Sequence, residues 1–158
     1  ILIDGVDGTG KTEVCKILSA HFMAPIIKMP NMKEYFQLGM TEEFSKLYNE
    51  LVIQFKDTNF IQDRGFTSSI VYNRVYNRGA NLDYLQRIEN ILKPKVFILT
   101  ADNDILFQRR PKDEIIEDKY RTLLNHEFKM LADIKGYHLI DTSKLTVEEV
   151  CEEIIKRV

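Results

Sequence analysis

Residues 5–12 read Gly5-Val6-Asp7-Gly8-Thr9-Gly10-Lys11-Thr12, in which one glycine is followed by four residues and then by Gly-Lys-Thr. An apolar run comes just before this stretch and an amphipathic helical pattern comes just after it. Glycines let successive backbone N–H groups curl inward at the positive end of a helix, an arrangement that binds phosphate. The spacing and the setting therefore predict a phosphate-binding loop of the Walker A type between a strand and a helix.

Two side chains of this loop carry the chemistry. Lys11 would reach the β- and γ-phosphates of a nucleoside triphosphate, and the Thr12 hydroxyl would be a ligand for Mg²⁺. The pattern predicts binding of ATP or GTP with Mg²⁺, with ATP as the expected nucleotide. The expected ATP-binding residues are Asp7, Gly8, Thr9, Gly10, Lys11 and Thr12.

The composition is that of one ordinary globular domain, since the 158 residues are 44% hydrophobic and 29% charged. We therefore expect residues 1–158 to form a single domain. Lys and Arg total 22 against 24 Asp and Glu, a net charge of -2, so no global basic field draws the chain to nucleic acid or to an anionic membrane. Any phosphate chemistry has to come from a local cluster of cations.

The two cysteines, Cys15 and Cys151, are too few for a disulfide framework, and we expect both in the core. The sequence carries no recognisable secretory signal and no long apolar span. These features predict a soluble protein in a reducing, cytoplasmic setting. Because Ile1 is not Met and reads as the middle of a strand, we expect the chain to be part of a slightly longer polypeptide, and internal loops could also be absent from it.

Short apolar runs alternate with helical patterns, as in parallel βα units. Strands are predicted at residues 1–4, 25–29, 59–63, 95–100 and 137–140, and helices at residues 12–22, 40–56, 66–77 and 82–92. Gly79 is expected to break the third helix and Asn81 to cap the fourth, while a capping box at Thr146 starts a last helix. The pattern predicts an α/β, doubly wound fold with a five-stranded parallel sheet, and a mobile lid at residues 108–114.

A second polar motif, Asp63-Arg64, ends the third predicted strand. In open α/β sheets, ligands bind at the carboxyl ends of the strands. The pair places an anion that can hold Mg²⁺ through water beside a cation that can hold phosphate. GTPase switches carry Asn-Lys-x-Asp, which the chain lacks, and motor-type ATPases usually end this strand in Asp-Glu.

Together these motifs resemble the thymidylate kinase branch of the P-loop nucleoside monophosphate kinases. Residues 4–12 follow that family's Glu-Gly-x-Asp-Gly-x-Gly-Lys-Ser/Thr with Asp in place of the leading Glu. Residues 63–72 match Asp-Arg-Tyr-x-x-Ser-x-x-Ala-Tyr at Asp, Arg, Ser and the final Tyr. The resemblance implies the P-loop nucleotide kinase fold, with nucleotides as substrates and with a homodimer as an open possibility.

The resemblance also implies roles for individual residues. Asp7 would approach the sugar 3′-hydroxyl of the acceptor, Asp63 would hold the metal through water, and Arg64 would clamp the acceptor phosphate. Tyr72 would lie beside the sugar, although its helical register is equally typical of core packing. Ser68 and Ser69 would border the base.

Two features indicate a phosphate acceptor without the resemblance. A nucleoside monophosphate has a second pKa near ~6, so its attacking oxygen is anionic at neutral pH and needs cations rather than a general base. Lys28, at the end of the second predicted strand, offers such a charge. Arg109 and Arg110 form a cation pair on the predicted lid, where an arginine closing on the phosphoryl group could contribute about 10³- to 10⁵-fold to the rate, unless the pair is solvated surface.

The sequence departs from the family pattern at two positions that bear on the acceptor. Phe44 is followed four residues later by Tyr48 where the family has Arg, and Gly65 replaces the motif's Tyr. We expect phosphoryl transfer from ATP to a (deoxy)nucleoside monophosphate, first dTMP, while another deoxynucleotide or a broad acceptor range would also fit. A deoxynucleoside kinase, a 5′-hydroxyl polynucleotide kinase and a non-catalytic ATP-binding module remain as alternatives.

Overall fold

The computed structural model describes residues 1–30, 38–109 and 118–158. Its sheet contains β1 (Leu2–Gly5), β2 (Ile26–Lys28), β3 (Ile61–Asp63), β4 (Val96–Thr100) and β5 (His138–Asp141). The strand order is β2-β3-β1-β4-β5 and every neighbouring pair is parallel. The predicted five-stranded parallel sheet is confirmed, and each strand lies within two residues of its predicted limits.

Burial explains why the central strands are apolar along their whole length. All residues of β1, β3 and β4 are buried, because helices cover both faces of the sheet there. The edge strands β2 and β5 are more exposed. From β1 the chain crosses first to β2 and β3 on one side and later to β4 and β5 on the other, so the strand order reverses at β1. Ligands of open α/β sheets bind at such a reversal.

The described helices are α1 (Lys11–Phe22), α2 (Thr41–Ile53), α3 (Phe66–Tyr76), α4 (Leu82–Leu92), α5 (Asn103–Arg109), α6 (Asp118–Lys135) and α7 (Val147–Ile155). Helices α1 and α7 share one apolar cluster with residues of β1, β4 and β5. Helices α3, α4 and α6 share a second cluster on the opposite face of the sheet. The doubly wound arrangement is therefore confirmed.

The helix ends follow local chemistry, with one correction to the sequence prediction. Helix α3 ends at Tyr76 because Asn77 adopts a left-handed conformation, with a φ of 50°, and closes the last turn before Gly79 is reached. Asn81 caps α4 as predicted, since its side chain accepts a hydrogen bond from the Tyr84 N–H at 2.9 Å. The capping box that begins at Thr146 is also confirmed.

Both cysteines lie in the core, as expected. Cys15 and Cys151 are 1% and 2% exposed and belong to the apolar cluster between α1 and α7. Burial raises the pKa of both thiols, in the case of Cys151 to about 11. Among the described residues, none of the helices combines the length and the apolar character needed to span a bilayer.

Candidate active site

The phosphate-binding loop joins the end of β1 to the start of α1, as the motif predicts. Gly5 approaches β4 so closely that a Cβ atom would lie 2.0 Å from the Leu99 carbonyl oxygen. Gly8 and Gly10 have φ values of 94° and 85°, in the left-handed region that favours glycine. Positive φ values of this kind are the backbone conformations from which anion nests are built.

Lys11 is buried beneath this loop. Its Nζ atom donates to the Val6 carbonyl oxygen at 2.6 Å, and the Thr9 hydroxyl lies 3.5 Å away. Burial, helped by the nearby charge of Arg64, lowers the pKa of Lys11 to about 8 against the attraction of neighbouring aspartates. The free protein therefore holds a cation with little solvation at the place where the motif expects phosphate.

Three polar side chains lie together where β2 and β3 end beside α1, namely Thr12, Asp63 and Lys28. The Thr12 hydroxyl donates to Asp63 Oδ2 at 3.0 Å, and Lys28 Nζ lies 3.3 Å from that hydroxyl and 3.4 Å from the carboxylate. Hydroxyl and carboxylate oxygens suit Mg²⁺, which keeps most of its waters and takes few protein ligands. This pair of oxygen donors would suit a magnesium ion whose remaining ligands come from water and a bound nucleotide.

Arg64 directly follows Asp63 and lies beside Asp7 and the end of β1. Its guanidinium forms an ion pair with Asp7 and donates to the Gly5 carbonyl oxygen and the Ser68 hydroxyl, both at 3.4 Å. Burial alone would lower the pKa of Arg64, but the neighbouring Tyr72 and three aspartates raise it overall. Arg64 therefore keeps its charge in a largely buried position.

Asp4 is a site residue that the sequence reading did not single out. It is fully buried, and its carboxylate accepts hydrogen bonds from the Gly5 N–H at 2.8 Å, the Thr67 hydroxyl at 2.5 Å and the Ser68 hydroxyl at 2.8 Å. These bonds tie the end of β1 to the first turn of α3. A carboxylate inside a buried strand needs hydrogen-bond donors. An Asp at the end of an apolar predicted strand is therefore the sequence feature that could have indicated Asp4.

The residues expected to border the acceptor lie along α3. Ser68 binds Asp4 and Arg64, whereas the Ser69 hydroxyl lies 2.9 Å from the Ser45 hydroxyl of α2. Tyr72 is half-buried, and its ring centroid lies 6.0 Å from the Arg64 guanidinium. The structure thus brings Ser68 and Tyr72 to Arg64 and turns Ser69 towards α2.

The candidate lid arginines are only partly described. Arg109 is the last residue of α5 rather than part of a loop, and its guanidinium donates to the Thr142 hydroxyl at 3.0 Å and to the Thr142 carbonyl oxygen at 2.7 Å. Arg110 and the remainder of the predicted lid lie outside the described residues. Arg109 is therefore held beside the segment that follows β5.

Comparison with known sequences gives relatives along the whole chain. A probable thymidylate kinase of Methanocaldococcus jannaschii is 29% identical over 180 residues, which cover 98% of this chain and 93% of the relative. A probable thymidylate kinase of Methanococcus aeolicus is 26% identical over 192 residues, covering 99% and 94% of the two chains. That alignment is longer than the 158 residues of this chain, so the relative carries internal sequence with no counterpart here. No family model matches the chain.

Thus the resemblance to thymidylate kinases is confirmed. It extends over the whole chain rather than over the two motifs alone. Among solved structures, the YorR protein of Bacillus subtilis, in complex with phosphorylated GDP, has a TM-score of 0.78 at 24% identity and covers 99% of this chain and 93% of its own. Thymidylate kinase from Candida albicans has a TM-score of 0.74 at 20% identity, with 99% and 88% covered.

A third solved structure comes from the deoxynucleoside kinases. Deoxyadenosine kinase from M. mycoides has a TM-score of 0.74 at 18% identity and covers 99% of this chain and 96% of its own. These structural likenesses establish the P-loop nucleotide kinase fold that the sequence predicts. They do not separate monophosphate from nucleoside acceptors, because both kinds of kinase share that fold.

Proposed function

We propose that the protein is a nucleoside monophosphate kinase that transfers the γ-phosphoryl group of ATP to a (deoxy)nucleoside monophosphate, first dTMP. The observation that carries this proposal is the convergence of Lys11, Lys28 and Arg64 on the carboxyl ends of β1, β2 and β3. Phosphoryl transfer needs positioning and charge stabilisation more than covalent help from the protein. Three cations around one phosphate-binding loop supply that chemistry.

The carboxylates at these strand ends favour a phosphate acceptor over a hydroxyl acceptor. A neutral 5′-hydroxyl needs a general base, whereas a monophosphate oxygen is already anionic. Among the described residues at the ends of β1, β2 and β3, Asp4 is held by hydrogen bonds, Asp7 by Arg64, and Asp63 by Thr12 and Lys28. The residue that follows β2 is the buried Met29, not a carboxylic acid.

The proposed site residues form two groups, one that binds ATP with Mg²⁺ and one that binds the acceptor. Lys11 would bind the β- and γ-phosphates, while Thr12 and Asp63 would hold Mg²⁺, which when bound neutralises charge on the phosphate oxygens. Arg64 would exchange its Asp7 partner for the acceptor phosphate, and Asp7 would then be available to the sugar 3′-hydroxyl. Arg109 and Arg110 would donate to the transferred group, which requires Arg109 to leave Thr142.

Two kinds of support point to the base of the acceptor nucleotide: the serines of α3 and the names of the relatives. Ser68 and Ser69 would border the base and Tyr72 the sugar, and the relatives named as probable thymidylate kinases favour thymine. The phosphorylated GDP bound by YorR makes guanine nucleotides the next acceptors to test. We expect free nucleotides rather than nucleic acid as partners and a cytoplasmic location, with a homodimer still open.

An acceptor panel tests this function. ADP release from ATP is measured with dTMP, dGMP, dAMP, dCMP, the matching nucleosides and a 5′-hydroxyl oligonucleotide. We expect monophosphates to support turnover and dTMP to have the highest kcat/KM. Faster turnover with nucleosides would assign a deoxynucleoside kinase, and tight ATP binding without acceptor-dependent release would assign a binding module.

An arginine variant tests the acceptor clamp within the same panel. Arg64→Ala is expected to raise KM for the monophosphate about 10²-fold while changing KM for ATP much less, because charge-assisted bonds to phosphate are among the strong ones. Arg74→Ala is the matched control, since Arg74 lies on α3 and pairs with Glu127 away from the loop. Unchanged saturation by the monophosphate in Arg64→Ala would remove Arg64 from the proposal.

A further inference from the structure

A hydrogen-bonded unit lies directly behind Arg64. The Tyr48 hydroxyl of α2 donates to the Arg64 carbonyl oxygen at 3.3 Å and accepts a hydrogen bond from Gln62 Nε2 at 3.3 Å. Tyr48 and Gln62 are 7% and 1% exposed, so neither bond competes with bulk water. The Tyr48 hydroxyl therefore links the Gln62 side chain to the backbone of the proposed clamp.

Gly65 provides the space that this unit needs. A Cβ atom at position 65 would lie 2.8 Å from Gln62 Nε2 and 3.0 Å from the Leu2 Cδ1 atom. The φ of Gly65 is -159°, which is extended backbone that any residue adopts. A side chain at position 65 is thus opposed by lack of room rather than by conformation, because the Gln62 amide occupies the volume it would take.

Both departures from the thymidylate kinase pattern meet at this amide. The family pattern has Arg where this chain has Tyr48, and Tyr where this chain has Gly65. Gln62 lies against the Tyr48 hydroxyl on one side and against the Gly65 backbone on the other. The two departures therefore share one neighbour, the Gln62 amide.

The backbone of Arg64 needs support of this kind. Its φ of 68° is left-handed, a strained conformation for a non-glycine residue that persists only where the surroundings hold it. The Arg64 N–H donates to the Ile3 carbonyl oxygen at 3.0 Å, and the Arg64 carbonyl oxygen accepts from Tyr48. Both backbone polar groups of Arg64 are thus hydrogen-bonded. This backbone conformation determines where the guanidinium lies, beside Asp7 of the loop.

We propose that Tyr48 is a positioning residue for the acceptor clamp, because the relay from Gln62 through the Tyr48 hydroxyl holds Arg64 in the conformation that presents its guanidinium. The inference rests on the proposed function in assigning the acceptor phosphate to Arg64. Tyr48 and Gln62 act through Arg64 and do not contact the substrate. Gly65 takes part by leaving the Gln62 amide in place.

Affinity for the acceptor tests the relay first. Tyr48→Phe removes only the hydroxyl and is expected to raise the Kd for dTMP, measured by calorimetry without ATP, about five- to tenfold, while the Kd for ATP stays unchanged. In an Arg64→Ala background, Tyr48→Phe should have no further effect on dTMP. The control is Tyr84→Phe, which removes a hydroxyl that donates to another α2 carbonyl, that of Lys46, at 3.2 Å.

A second readout does not depend on any substrate. The Nε–Hε resonance of Arg64, assigned by its loss in Arg64→Ala, should shift or broaden in Tyr48→Phe and stay unchanged in Tyr84→Phe. An unchanged resonance would overturn the inference, and so would a loss of dTMP affinity that persists in the Arg64→Ala background. If the unmodified protein binds no monophosphate, the proposed function fails while this resonance still decides the relay.

Gly65→Ala provides a further variant that reaches the same relay by another route. Its Cβ atom would displace the Gln62 amide, so it should weaken dTMP binding as Tyr48→Phe does. Because both changes break one relay, the Kd of the double variant for dTMP should not exceed the higher of the two single-variant Kd values. Additive losses in the double variant would contradict a shared relay.

Discussion

At the scale of single residues, the glycines of this chain are required for different physical reasons. Gly5 has a φ of 138° and no room for a Cβ atom beside Leu99. Gly79 has a φ of 73° but nothing within 4 Å of a Cβ atom. The first position combines backbone strain with a collision against a buried strand, whereas the second carries backbone strain alone.

This contrast predicts different costs for the same substitution. Gly79→Ala should lower the free energy of unfolding by about 1 kcal/mol, which is typical of a left-handed non-glycine residue. Gly5→Ala should lose several kcal/mol or fail to fold, because β1 and β4 would have to separate. Urea denaturation of both variants measures the difference, and equal losses would contradict the steric argument.

Lys11 combines a proposed catalytic role with a cost to stability. Its pKa of about 8 lies below the ordinary value of 10.5, so the charged form is disfavoured in the folded protein. The difference corresponds to about 3 kcal/mol. That cost is fully present below about pH 8 and disappears as the pH rises towards 10.5, where the unfolded chain also loses the proton.

Lys11→Met should therefore abolish turnover without lowering stability. At pH 7 the variant is expected to be as stable as the unmodified protein or up to about 3 kcal/mol more stable, and the gap should shrink as the pH approaches 10. Denaturant titrations at pH 7 and pH 10 measure this gap. Lys16→Met, at an exposed position of the same helix, serves as the control with a small and pH-independent difference. A variant less stable than the parent at pH 7 would contradict the sign.

The motif residues and the relay residues differ in how far sequence could predict them. Lys11, Asp63 and Arg64 stand in patterns whose spacing names them in advance, and the structure brings them to one edge of the sheet. Tyr48 and Gln62 meet Arg64 through contacts set by the packing of α2 on β3. No local sequence pattern predicts such a contact. From the sequence, Tyr48 is notable only because the thymidylate kinase pattern has Arg at this position.

At the scale of elements, apolar runs located the strands because the central strands are buried on both faces. Helix ends were less predictable. The sequence predicts a break in α3 at Gly79, but Asn77 ends the helix two residues earlier, since Asn also tolerates a left-handed conformation. The predicted lid includes Arg109, which instead is the last residue of α5.

A polar cluster joins three elements on the face opposite α1. Glu89 of α4 accepts hydrogen bonds from Lys135, at the end of α6, at 2.8 Å and from the Tyr137 hydroxyl just before β5. Burial alone would raise the pKa of Glu89, but these hydrogen bonds and the charge of Lys135 lower it overall. The stability that Glu89 contributes is therefore present above its ordinary pKa and is lost as the pH falls through the lowered value.

Glu89→Gln should cost about 1 kcal/mol of stability at pH 7, because the amide replaces a charged acceptor of two donors. As the pH falls through the lowered pKa of Glu89 and this carboxylate becomes protonated, the difference from the unmodified protein should shrink. Thermal denaturation from pH 7 to pH 3 follows both proteins. Glu152→Gln, in an exposed pair with Lys156, should change stability little at either pH, and a similar loss there would contradict the assignment.

At the scale of the whole molecule, a net charge of -2 coexists with a phosphate site that contains three cationic side chains. Each of these cations, Lys11, Lys28 and Arg64, is paired with Asp7 or Asp63 in the free protein. The aspartates keep the local charge low until an anionic ligand arrives. This balance explains how a near-neutral chain can present cations to a polyanionic nucleotide.

The burial of both cysteines has a practical consequence for studying motion in solution. The sequence contains two thiols, and both are held in the core between α1 and α7 with raised pKa values, which makes them poor nucleophiles. A cysteine introduced at an exposed position, such as that of Arg87 on α4, would then react selectively with a maleimide dye. Fluorescence from a single label could follow nucleotide binding without first removing the native cysteines.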